Sequence, residues 1–409
     1  MVDGERTELT FHYERWRAIA NGILETAGST FLLLVAVRAF NAGATAKALV
    51  ASGGSFGLLL TPLVVSFVEA AGWSTAQAAA RMAATGAVCF LLMAAFPILP
   101  IFVVGSVLSM AASSAAIPLM TQVYQENYPE KERGRLFSKI IMIRIGTAAL
   151  FSEFAGRFLS GHIWYFRWLL LVFAAAFAFG CYCLTRCPSR PLTDSGGTHP
   201  FRALRFARDD RLFRRTLICW MLMGFANLMM LPMRVEYLAN PKYGLVMAVS
   251  EIAFLTGVIP NTARLIMSPI WGWLFDHMNF FVLRFTLNLA YALGILSFFT
   301  SHDVTGLILG AIIYGISNAG GDVAWGLWVT KFSPPDRVAD YMSVHTFFTG
   351  VRGVLAPLVA FHLAKEYSIA LLGWVSAGLI ISASLLLLPE IKYGRNVRRA
   401  TALVEEVSE

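Results

Sequence analysis

The chain has 409 residues, of which 57% are hydrophobic and only 14% charged, with a net charge of +8. Soluble domains carry roughly 25% charged residues, so a water-facing surface of this size cannot be assembled from this composition. Closed β-barrels, the other way to span a bilayer, alternate apolar and polar residues, whereas this chain shows long unbroken apolar runs, and it is therefore read as a helical membrane protein.

About twenty helical residues, rising ~1.5 Å each, cross the hydrocarbon core. Residues 1–16 lack the short apolar core and cleavage site of a removable signal peptide, so the first run is expected to serve as its own insertion signal. Twelve runs follow, near 17–40, 46–69, 77–97, 99–124, 138–160, 163–184, 213–237, 246–272, 280–299, 303–329, 342–363 and 369–389. The long interruption, 185–212, opens with Pro and Gly-Gly punctuation and ends in a basic stretch with Phe201, Leu204 and Leu212 on one helical face. It reads as a cytoplasmic linker with a possible interfacial helix. It divides the chain into an N-terminal bundle (1–184) and a C-terminal bundle with its tail (213–409).

With the N-terminus placed inside, 23 of the 33 Lys and Arg fall on the cytoplasmic side and 7 on the other, with 3 inside spans. The positive-inside rule then puts both termini in the cytoplasm of a plasma membrane. The net charge is a topology signal, and nucleic-acid binding is not expected. The five cysteines, Cys89, Cys181, Cys183, Cys187 and Cys219, lie in or beside spans without a second ligand cluster, so they are read as packing residues and no metal is expected.

The two sets of six spans echo one another. Pro62-x6-Glu69 ends the second span as Pro269-x6-Asp276 ends the eighth, and Asn21-Gly22-x2-Glu25 faces Met223-Gly224-x2-Asn227 in spans one and seven. The loop Pro129-Glu130-Lys131-Glu132-Arg133 resembles Pro334-Pro335-Asp336-Arg337. An even number of spans per repeat keeps both copies in the same orientation, about an axis along the membrane normal.

On these marks the chain resembles the major facilitator superfamily over essentially its whole length. The family motif after the second span of each half, a Gly with an acid four positions on and basic residues beyond, is matched by Gly272-Trp273-Leu274-Phe275-Asp276-His277 with Arg284 following. In the first half it survives as Glu69, with Val65 where Gly is expected. The resemblance implies two parallel six-helix bundles that rock about a midplane site, with Glu69, Arg133, Gly272, Asp276 and Arg337 concerned with conformational change. Neither the Gly-Pro of drug–proton antiporters in span five nor the sugar-porter element after span six is present, so no subfamily is assigned.

Ionisable groups in hydrocarbon cost about 2.5–3.5 kcal/mol on insertion scales and should face a partner or a wet cavity. Glu25, Arg144, Glu153, Glu251, Arg264, Asp322 and Arg352 lie well inside spans, and the charges avoid spans three, six, nine and twelve. In span ten Tyr314, Asn318, Asp322 and Trp325 share one face, offering amide, carboxylate and aromatic groups to a polar solute. Interhelical contact is the alternative role for the same residues. With Asn21, Asn227 and Arg352 they form the candidate substrate set. Glu25 and Asp322 are the candidate proton carriers. Arg144, Glu153, Glu251 and Arg264 are expected to form a charge network, with Glu153 and Glu251 nearer the outer face, and Arg352 is the arginine expected to stand outside it.

No His-Glu-x2-His, Gly-x4-Gly-Lys-Ser/Thr or Cys-x2-Cys occurs, so hydrolytic zinc and nucleotide chemistry lack their minimal ligands. The expectation is a monomeric secondary transporter, without cofactor, that moves a small polar organic solute with protons. A drug or organic-cation antiporter and a non-transporting receptor on the same fold are the alternatives.

Overall fold

The computed structural model describes residues 3–191, 205–245, 247–328 and 338–408. Twelve helical rods run through them. The first, α1, comprises Asp3–Thr26, a π turn Ala27–Phe31 and Leu32–Arg38. It is followed by α2 (Ala44–Ala70), α3 (Thr75–Ala95), α4 (Leu99–Ala115 and, after a break at Ala116, Ile117–Asn127), α5 (Glu130–Leu159) and α6 (Phe166–Arg186). The second set is α7 (Arg211–Ala239), α8 (Val249–Ala253, a π turn Phe254–Val258 and Ile259–His277), α9 (Phe280–Thr300), α10 (Val304–Leu327), α11 (Val338–Glu366) and α12 (Ile369–Ser408).

Ten of these rods are long and apolar enough to cross a membrane. The other two are α5 and α8, whose apolar character is interrupted by Arg144, Glu153, Glu251 and Arg264. Boundaries differ from the apolar runs where charged helix formers continue a helix past the bilayer. The clearest case is α5, which starts at Glu130 rather than near 138. In the linker, Arg205–Asp209 forms one helical turn, Asp210 caps α7 by accepting the Phe213 amide at 2.9 Å, and the expected apolar positions Phe201 and Leu204 lie outside the described residues.

Packing repeats with a shift of six helices. In the first half α1 packs on α5 and α6, α2 on α4, and α3 on α4 and α6. In the second, α7 packs on α11 and α12, α8 on α10, and α9 on α10 and α12. The halves meet along α1–α7, α2–α11 and α5–α8, pairs that the same shift interconverts. These are two like-oriented bundles, and the seam between them is where function is to be sought. Exposed apolar side chains such as Leu92, Trp168, Leu293 and Trp374 coat α3, α6, α9 and α12, as a lipid-facing surface requires. One expectation needs correcting: α9 is not free of charge. Arg284 sits one turn inside it and is buried, because it points into the bundle instead of towards lipid.

Candidate functional site

At mid-depth, four charged side chains from both halves form one network. A Cβ on Gly22 would fall 2.7 Å from Thr147 Cβ, so α1 and α5 cross closely only because residue 22 is glycine. That crossing brings Glu25, one turn on, to Arg144, with Arg144 Nε and Glu25 Oε2 3.0 Å apart. The other Glu25 oxygen accepts from Arg264 Nη1 on α8, across the seam. Arg264 Nε donates to Asp322 Oδ2 on α10 at 2.5 Å. Two acids and two arginines thus compensate one another, which relieves most of the cost of holding charge at this depth. Arg264 is 6% exposed, but Asp322 keeps 44% of its side chain open and Glu25 25%. The network therefore borders open space between the halves and can exchange partners with water or a solute.

The seam is irregular at this level. The π turns of α1 and α8 meet, with Thr30 and Thr256 hydroxyls 3.1 Å apart and buried. Single π turns inside helices are common at functional positions. Closer to the face opposite the termini the halves are tied more tightly. Lys47 Nζ donates to Glu236 Oε1 at 2.6 Å, with Glu236 1% exposed. Asn240 adds a bond to the same oxygen at 2.8 Å, and Arg38 donates to the Met247 carbonyl at 3.0 Å.

The predicted stripe of α10 does share one face. Tyr314 lies under the Arg234 guanidinium, 3.7 Å from ring centre to Cζ. Asn318 accepts from the Tyr291 hydroxyl at 3.4 Å, Asp322 joins the network, and Trp325 stands 5.6 Å from the His345 ring. Asn21 is half-buried one turn before Glu25. Asn227 lines, with Arg234 and Tyr314, a cavity of only ≈ 10 Å³, about room for one water. Arg352 is buried inside the C-terminal half, where it donates to the Trp220 carbonyl.

Glu153 and Glu251 stand apart from the central network, because each finds a partner on its own helix. Glu153 accepts from Arg157 at 2.5 Å on an exposed surface, and Glu251 caps the start of α8 by accepting the Ala248 amide at 2.7 Å. Arg133 donates to the Gln125 and Tyr128 carbonyls at 3.2 and 3.3 Å, closing the end of α4. Glu69 lies in the last turn of α2, and Gly272 has open space where a Cβ would be. The Asp276 side chain and Arg337 lie outside the described residues.

Sequence reasoning missed Lys47, Glu236, Arg234, Arg284 and His345. It also missed Glu14, which is fully buried and receives a two-pronged bond from Arg17 at 2.5 and 2.7 Å and a third from the Tyr124 hydroxyl at 2.5 Å. The usable signal was position: each of these residues falls within a few residues of a predicted span end, where the span limits decide between loop and interior.

The sequence matches the Major Facilitator Superfamily profile over residues 18–301. The chain belongs to this superfamily. Solved members with the same fold include the nucleoside transporter NupG (14% identity, TM-score 0.74, covering 94% of this chain and 99% of that one). A D-xylose–proton symporter is 15% identical, with a TM-score of 0.62 and coverage of 95% and 96%. The human organic anion transporter MFSD10 is 14% identical, with a TM-score of 0.66 and coverage of 95% and 100%. No curated protein matches by sequence. At these identities the likeness establishes a facilitator fold and leaves the solute open.

Proposed function

We propose that the protein is a proton-coupled secondary transporter of a small polar organic solute, working by alternating access in the plasma membrane with both termini cytoplasmic. The observation that carries this reading is Arg264, which is held at once by a carboxylate of each half. A group shared across the seam is sensitive to how the halves sit. Protonating Asp322 or Glu25 removes one of its anionic partners and so changes the relative free energy of the two arrangements. A polar solute entering between α1, α8 and α10 competes for the same donors, which links its binding to the proton. The Lys47–Glu236 pair holds the opposite face shut and has to part before the site opens there.

Uptake into proteoliposomes under an imposed pH gradient tests the coupling, comparing the parent with Glu25→Gln and Asp322→Asn. Loss of gradient-driven accumulation, with solute exchange retained in at least one variant, is the expected result. Accumulation unchanged in both variants would remove these two residues as carriers.

A further inference from the structure

A second cluster of ionisable side chains lies inside the C-terminal half, towards the termini-bearing face, gathered around Trp220 of α7. Arg284 of α9 lies over the indole ring, 3.7 Å from its centre. Arg352 of α11 donates to the Trp220 carbonyl. Its guanidinium occupies the space that any side chain at residue 224 would need, so Gly224 is what admits it. The His345 ring sits 5.3 Å from the indole. Arg284, Arg352 and His345 are 2%, 8% and 0% exposed.

Unlike Arg17, Arg144 and Arg264, these groups reach no carboxylate among the described residues. Their acceptors are one carbonyl and, for Arg284, the Met223 thioether at 3.2 Å. Arg284 Nη1, Arg352 Nε, both His345 nitrogens and Trp220 Nε1 are buried without a hydrogen-bond partner. Two guanidiniums without a counter-charge inside a membrane bundle are strongly unfavourable, and a cluster that persists in this form needs an anion to complete it. Planar forks beside a ring N–H suit a carboxylate or similar planar oxyanion, and the half-buried Trp325 indole suits an attached apolar group. The cluster approaches the seam along α10. Asp322 is open to the seam, Trp325 is half-buried three residues further along the same helix face, and its ring is 5.6 Å from His345. Trp325 therefore connects His345 to the half-open face of α10.

We propose that Arg284, Arg352 and His345 form the binding site for the anionic group of the transported solute, which makes that solute an organic anion of carboxylate type. The word "transported" rests on the reading above; the binding itself does not. The test is the unfolding temperature of the purified full-length protein titrated with sodium benzoate and sodium acetate, against benzamide and acetamide, and against sodium chloride at matched ionic strength. The carboxylates, benzoate more than acetate, are expected to give a saturable rise that the neutral amides and chloride do not.

Arg284→Met and Arg352→Met should each weaken the benzoate midpoint by roughly tenfold or more. Because each removes a charge that has no counter-ion, the ligand-free unfolding temperature should hold or rise, which a purely structural arginine would not allow. Arg352→Lys, which keeps the charge and loses the fork, should recover part of the affinity and keeps the test decisive if a Met variant does not fold. Equal shifts with the amides, saturation by chloride alone, or variants that respond like the parent would each overturn the proposal. Benzoate binding without any gradient-driven uptake would instead defeat the transport reading and leave the site standing.

Discussion

Among the described residues two ion-paired regions join the halves, and they differ in how much water they see. At mid-depth Arg264 divides itself between Glu25 and Asp322, acids that remain 25% and 44% exposed. On the face opposite the termini, Lys47 and Glu236 form one closed pair, 11% and 1% exposed. The first has two acids, two bases and an open side, so a proton or a solute can change its pattern. The second has one donor group on one carboxylate with Asn240 filling in, so it is either made or broken. A shared, half-wet network can sense ligand, whereas a dry pair can only latch. Glu14–Arg17–Tyr124 differs from both, because all three residues lie within one half and the cluster does not bridge the seam.

The largest effect is expected at Arg264. Arg264→Met leaves Glu25 and Asp322 facing each other without their bridge, a loss of about 3–5 kcal/mol for a broken buried pair. Gradient-driven uptake in proteoliposomes should then fall by on the order of 10²–10³-fold. Lys47→Met should act differently. It leaves the buried Glu236 carboxylate with the Asn240 amide but without Lys47 as counter-charge, at about 3 kcal/mol against the shut face. Reagent access to a cysteine placed at Ser52, buried against α11 further along α2, should then increase while solute binding persists. Tyr124→Phe removes one bond to a buried carboxylate, worth about 2 kcal/mol, and should lower the unfolding temperature without altering uptake. Glu153→Gln sits at the small end. Its exposed pair with Arg157 is worth about 0.5 kcal/mol or less, and neither stability nor uptake should move measurably.

Periodicity was enough to read the all-helical membrane fold and the six-helix shift in packing, because the bilayer forces one element type and one length on every crossing. The cost of intramembrane charge was also legible, and Glu25, Arg144, Arg264 and Asp322 do come together. What sequence could not supply was partner choice. Lys47 and Glu236 are 189 residues apart, each at the end of a helix, and read as loop charges until the halves are placed side by side. Glu153 and Glu251 read as intramembrane charges nearer the outer face that join the network, yet local partners four and three residues away satisfy them. Arg284 and His345 were hidden for a geometric reason: their burial depends on which helix face turns inward, and in a span that is apolar all round no stripe announces it.

The most direct test of the central claim measures the distance between spin labels at Lys139→Cys on α5 and His277→Cys on α8, as a function of pH, with the five native cysteines replaced. Both label positions are exposed near the termini-bearing ends of helices that meet across the seam. If Arg264 is released when its acids are protonated, acidification redistributes the parent between two distances, and a variant carrying both Glu25→Gln and Asp322→Asn stays at one distribution throughout. A parent whose distances ignore pH, or a double variant that still responds as the parent does, would contradict the account.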